Sequence, residues 1–163
     1  MTPPRIAPRP PGPREAKLLM EAADALRRGD TKTAEPKLRA YCAQAPSDPV
    51  GLYNLAKLIR GRADEATSLL ERAVALEPRF HEAWLNLGTL LEQSNRIDEL
   101  KTLLGQAREK GVAGDEVAYL EALLLRRQGD LSGALGKAQG LGRDAIDEIL
   151  SDQLIGQLAD RTG

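Results

Sequence analysis

The sequence predicts an all-α fold, an array of antiparallel helix hairpins, and three observations carry that prediction. From Glu15 onward apolar residues fall three and four apart, the spacing that keeps side chains on one face of a helix. These runs are broken at regular intervals by Gly, Asn, Asp or Pro, the residues that close and restart helices. Only 3% of the 163 residues are aromatic while Ala and Leu abound, which suits close helix-on-helix contacts better than one large globular core. A chain of this length accommodates one ordinary domain or an extended array in which each unit touches its neighbours.

Residues 1–14 contain six prolines (Pro3, Pro4, Pro8, Pro10, Pro11 and Pro13) and three arginines, with no acidic residue. Prolines favour polyproline II over helix, and too few apolar groups remain to offset the entropy of ordering, so this stretch is expected to be a disordered tail. Its PxxP spacings beside Arg9 and Arg14 fit a ligand for a proline-recognition domain; a plain flexible leader is the commoner occupant of such a terminus. Four hairpins are expected next, at about residues 15–46, 47–78, 79–112 and 113–143. The first and fourth close their leading helix alike, with Gly29-Asp30 and Gly129-Asp130. There Gly takes the left-handed closing conformation and Asp caps the following helix. Ala34, Ala66, Leu100 and Ala134 mark the second helices at intervals of 32, 34 and 34 residues. Pro46 and Pro78 end the second helices of the first two units by forbidding continuation. The short interval is expected to arise from a shortened turn at Arg60-Gly61-Arg62-Ala63. Residues 144–163 are expected to form either a capping helix or the first helix of a fifth repeat, and the latter implies a chain cut from a longer array at Gly163.

The stretch Ala83-Trp84-Leu85-Asn86-Leu87-Gly88-Thr89-Leu90-Leu91, followed by Leu100, Leu104 and Ala107, resembles the signature of the tetratricopeptide repeat. Leu52-Tyr53-Asn54-Leu55-Ala56-Lys57-Leu58-Ile59, with Ala66, Leu70, Ala73 and Pro78, is similar to the same signature. The first and fourth units place Glu21-Ala22 and Glu121-Ala122 where the family has Leu-Gly. The resemblance implies a right-handed superhelical solenoid of antiparallel helix hairpins. Small residues at 22, 56, 88 and 122 are expected to let each first helix sit close to the second helix of its own hairpin.

In such arrays the first helices line a concave groove, and the resemblance places Tyr53, Asn54, Lys57, Leu85, Asn86, Thr89, Tyr119, Leu123 and Arg126 on it as candidate peptide-binding residues. Asn54 and Asn86 occupy equivalent places, where the family uses Asn to hydrogen-bond the backbone of an extended peptide. An amide donates and accepts, so it reads a peptide group whatever the sequence. The implied function is a noncatalytic protein-protein interaction module or scaffold that binds a peptide segment or neighbouring domain. Rings mixed with Lys57 and Arg126 suit an acidic or amphipathic partner. The carboxylate clamp that grips chaperone C-termini is not expected, because its cationic slots hold Leu19 and Ala23 in the first unit and start with Tyr53 in the second. The Leu154 to Gly163 ending and the Ala75-Leu76-Glu77-Pro78 turn also resemble the N-terminal repeat region of bacterial proteins with a downstream sulfotransferase domain. The alternative reading is therefore a regulatory repeat arm of a larger bacterial enzyme.

Chemistry points the same way. His81 has no second His at metal-ligand spacing, Cys42 has no local nucleophile partner, and the Gly133 to Gly142 stretch lacks the Lys-Ser/Thr of a phosphate loop. No enzymatic activity, cofactor or metal is expected. The net charge of -1, from 23 basic and 24 acidic residues, supplies no field for nucleic acid or a membrane surface. No apolar run approaches the ~20 residues of a membrane span. A cytoplasmic protein is expected, its lone Cys42 unable to form an internal disulfide, with self-association through exposed array ends as a further possibility.

Overall fold

The computed structural model describes residues 10–112 and 114–141. Residues 1–9 of the expected tail, and residues 142–163 with the expected capping or fifth-repeat helix, lie outside the described residues. The described residues form eight helices and no strand. α1 (Pro13–Arg27) pairs with α2 (Thr31–Gln44), α3 (Pro49–Leu58) with α4 (Ala63–Leu76), and α7 (Gly114–Arg127) with α8 (Leu131–Gln139). Between them lie α5 (His81–Gln93) and α6 (Ile97–Glu109). The chain divides into two compact units, Met1–Ala83 and Trp84–Gly163; α2 also packs on α3 in the first, and α6 on α7 in the second.

Local chemistry explains where the helices start. α1 begins at Pro13, two residues before the boundary expected from composition. Proline is a poor helix interior residue but a good first-turn residue, because its fixed φ is helical and the missing N–H has no intrahelical acceptor there. The Glu15 carboxylate reaches back to accept from the Gly12 N–H, which fastens that start. At the hairpin turns Gly29 (φ 71°) and Gly129 (φ 85°) adopt the left-handed conformation. Asp30 then accepts from the Thr33 N–H at 3.0 Å, and Asp130 from the Gly133 N–H at 2.8 Å, each capping the second helix of its hairpin.

The second hairpin departs from the others in an unexpected place. Its turn, residues 59–62, is one residue longer than residues 28–30, 94–96 and 128–130, so the turn is not what was shortened. Instead α3 stops two residues after Ala56, whereas α1, α5 and α7 each run five residues past the equivalent Ala22, Gly88 and Ala122. Three residues lost from the helix and one gained by the turn give the net deficit of two. The other three turns pass through a residue with positive φ (Gly29, Asn95, Gly129), whereas Gly61 is not among the positive-φ residues. Without that left-handed closure, the helix ends earlier and a wider loop carries the reversal.

Each unit has its own interior. Leu38, Tyr41, Leu52, Leu55 and Ala66 are buried in the first, and Trp84, Leu87, Leu91, Leu100 and Leu120 in the second. Gly88 does lie at a close helix approach, but the partner differs from expectation. A β-carbon there would overlap the Leu120 side chain and crowd Leu123 at 3.3 Å, while Leu100 of its own hairpin would stand at an ordinary 3.8 Å. The glycine thus serves the contact between first helices of neighbouring hairpins, α5 and α7. Repeat spacing alone does not distinguish these neighbours, since both lie within reach of the same helix face.

Candidate functional site

The nine candidate residues separate into two clusters, one in each compact unit. In the first, Tyr53, Asn54 and Lys57 follow one another on α3, whose N-terminus is fixed by Pro49 and by Asp48, which accepts from the Val50 N–H at 2.9 Å. Lys57 is exposed, and its Nζ lies 5.3 Å from the centre of the half-buried Tyr53 ring. The other flank of Tyr53 meets Phe80, with ring centroids 4.8 Å apart and planes inclined at 52°. This contact holds the Tyr53 ring in place at little entropic cost to an incoming ligand. Asn54 is half-buried, and its side chain makes no hydrogen bond to another described residue. Its amide keeps both donor and acceptor capacity at the surface.

The second cluster is more internally committed. Leu85, Asn86 and Thr89 are half-buried on α5. Thr89 Oγ1 donates to the Leu85 carbonyl at 2.9 Å and also meets the Tyr119 hydroxyl from α7. Tyr119 and Leu123 are each only 3% exposed. They are wall and packing elements against α5, with almost no accessible surface of their own. Arg126 Nη2 pairs with Glu92 at 2.7 Å, and the Glu92 side chain is 8% exposed. The cation assigned to this face is therefore compensated from within. Arg127 is held similarly by the Asn95 side-chain oxygen, at 2.6 and 3.1 Å.

Two residues of this arrangement escaped the sequence reading. Phe80 sits in the connection before α5, where no helical period marks it. Glu92 carries a usable signal, because it precedes Arg126 by 34 residues and so occupies the same place one repeat earlier. Opposite charges at equivalent positions of consecutive repeats face each other across the repeat boundary. Among the described residues no group of three His, Cys, Asp or Glu side chains is placed to hold a metal ion, and no helix is long and apolar enough to cross a membrane.

The family profile described as tetratricopeptide repeat matches residues 57–124, from Lys57 on α3 to Leu124 on α7. A solved tetratricopeptide repeat protein from Parabacteroides merdae superposes with a TM-score of 0.64, covering 87% of this chain and 55% of that one at 19% identity. Residues 57–124 carry tetratricopeptide repeats. Outside the matched stretch, the structural likeness extends the repeat fold over most of the remaining helices. Two curated proteins share sequence with these repeats. The tetratricopeptide repeat and J domain-containing co-chaperone of Fusarium oxysporum is 30% identical over 122 residues, 74% of this chain and 23% of that protein. Rhomboid protease GluP of Bacillus subtilis is 31% identical over 87 residues, 52% of this chain and 17% of that protein. The matches thus span less than a quarter of either relative's length.

Proposed function

We propose that the chain is a noncatalytic protein-interaction module, and that the first-helix faces of its tetratricopeptide repeats bind an extended peptide segment. The observation that carries this reading is the cluster on α3: an amide at Asn54 with no hydrogen bond to a described residue, beside a ring braced by Phe80 and overlain by Lys57. A peptide backbone satisfies the amide and an apolar or acidic side chain finds the Tyr53–Lys57 pair. Asn86, Leu85 and Thr89 are the equivalent positions of the next repeat. Tyr119 and Leu123 support that face from beneath, and Arg126 contributes less charge than its type suggests because Glu92 offsets it. The partner is accordingly acidic or amphipathic at the α3 end, and the reading suits a cytoplasmic protein. The test is to select peptides from a display library on the full chain and measure their affinity for the Asn54→Ala/Asn86→Ala double variant. Loss of two backbone hydrogen bonds is expected to weaken binding by roughly tenfold or more. Unchanged affinity overturns the assignment.

A second reading, a regulatory repeat arm of a larger enzyme such as a sulfotransferase, is supported by the small share of a longer protein that the repeats occupy in both curated relatives. The full reading frame at the genomic locus distinguishes the two. A catalytic domain in the same frame favours the arm, and further repeats favour the scaffold.

A further inference from the structure

A cleft lies away from the first-helix face, wholly within the first compact unit, between the second helices α2 and α4. It encloses about 500 Å³, inside the roughly 300–1,000 Å³ range of small-ligand sites. Buried Leu55 and Leu69 line it with the half-buried Cys42, beside Arg39, Arg72, Pro46 and Glu65, whose carboxylate is taken up by Arg39. The two arginines differ in their electrostatics. Arg39 is saturated, with Glu35 at 2.9 Å and Glu65 at 2.6 Å, and nearby Arg62 also binds Glu35 at 2.6 Å. Arg72 makes one long hydrogen bond, to the Pro46 carbonyl at 3.5 Å, and has no carboxylate partner among the described residues. The cleft therefore presents one uncompensated guanidinium above an apolar floor.

We infer that this cleft is a second docking site, and that it takes a protein segment in which a carboxylate neighbours an apolar side chain. The carboxylate completes a charge-assisted, bidentate pair with Arg72 in place of the long contact to Pro46. The apolar neighbour rests on the half-buried Cys42 and on Ala43, with Leu55 and Leu69 packed beneath them. An extended segment suits the cleft better than a small molecule, because the opening runs along two helices and would leave a compact ligand largely in water. Occupancy of this site is independent of the groove, since none of its residues is among the first-helix residues proposed above.

Cys42 is the only cysteine of the chain and lies in the floor, so its thiol reports directly on occupancy. The probe is a fluorescein-labelled peptide repeating Asp-Asp-Leu-Leu, which places an aspartate and a leucine two residues apart on each face of an extended chain. Its affinity for the full chain is measured by anisotropy, alongside the rate at which Ellman's reagent modifies Cys42. The peptide is expected to bind, to slow modification of Cys42, and to lose roughly tenfold or more in affinity with Arg72→Glu. The corresponding Lys-Lys-Leu-Leu repeat should do neither. Arg72 is exposed, so circular dichroism should show the variant as helical as the parent. Because the first-helix face also suits acidic segments, Cys42 protection and its loss with Arg72→Glu are read again in the Asn54→Ala/Asn86→Ala variant, where both should persist; that separates failure of this site from failure of the groove. Absence of binding, unprotected Cys42, protection indifferent to Arg72→Glu, or loss of Cys42 protection in the groove variant each overturns the inference.

Discussion

Gly88 shows how one side chain sets the spacing of two repeats. With no β-carbon it lets α5 approach α7 until Leu120 and Leu123 fill the gap, and the Thr89–Tyr119 contact forms beside it. A branched residue has nowhere to go, because Leu120 is fully buried. Gly88→Val is therefore expected to cost about 1–3 kcal/mol through overpacking, read as a lowered urea midpoint. A variant as stable as the parent would show that the α5–α7 approach is looser than described. The identity of this glycine was legible in the sequence as a family position. Its partner was not, since a residue facing its own hairpin and one facing the next have the same spacing along the chain. The same limit hid Phe80, which becomes part of the site only when the chain folds it against Tyr53.

At the scale of elements, helix ends were more legible than helix lengths. Gly29-Asp30 and Gly129-Asp130 close and reopen helices through chemistry that sequence records directly, a left-handed glycine and a capping carboxylate. The early stop of α3 has no such marker, and Gly61 suggested a tight turn that the backbone does not make. α2 holds the opposite surprise, since it accommodates Pro36 inside the helix. Proline there forfeits the hydrogen bond to the carbonyl of Lys32, so Pro36→Ala should raise stability by about 1–3 kcal/mol; a lower thermal midpoint would contradict this. Between α6 and α8, Glu121 on α7 binds Lys137 at 2.6 Å and also pairs with Arg108. The hydrogen bond from Lys137, helped by Arg108 and opposed by burial, holds its carboxyl below the ordinary glutamate range. A carboxyl depressed in the folded state contributes stability above its unfolded pKa and loses it as pH falls through the folded value. Acidification from roughly pH 4 downward should therefore destabilise the parent more steeply than Glu121→Gln, in urea titrations at successive pH values. Equal slopes would remove Glu121 from the list of groups that respond.

At the scale of the whole molecule, the repeat register was the most legible feature, because stacking identical hairpins requires identical spacing of the residues that touch. The same register placed Asn54 and Asn86 in equivalent positions without revealing that their surroundings differ. Around Asn54 the surface offers an amide, a ring and a cation. Around Asn86 the neighbouring α7 supplies buried Tyr119 and Leu123 and a cation already balanced by Glu92. Charge balance of this kind depends on which side chains meet across a repeat boundary, and a list of groove positions does not contain it. The central claim is that a peptide segment binds the first-helix face, strongest at α3. Amide chemical shifts of the isotope-labelled full chain, recorded with and without a display-selected peptide, test it most directly. The expected result is perturbation centred on Tyr53, Asn54 and Lys57, whereas a selected peptide that leaves these three amides unmoved would contradict it.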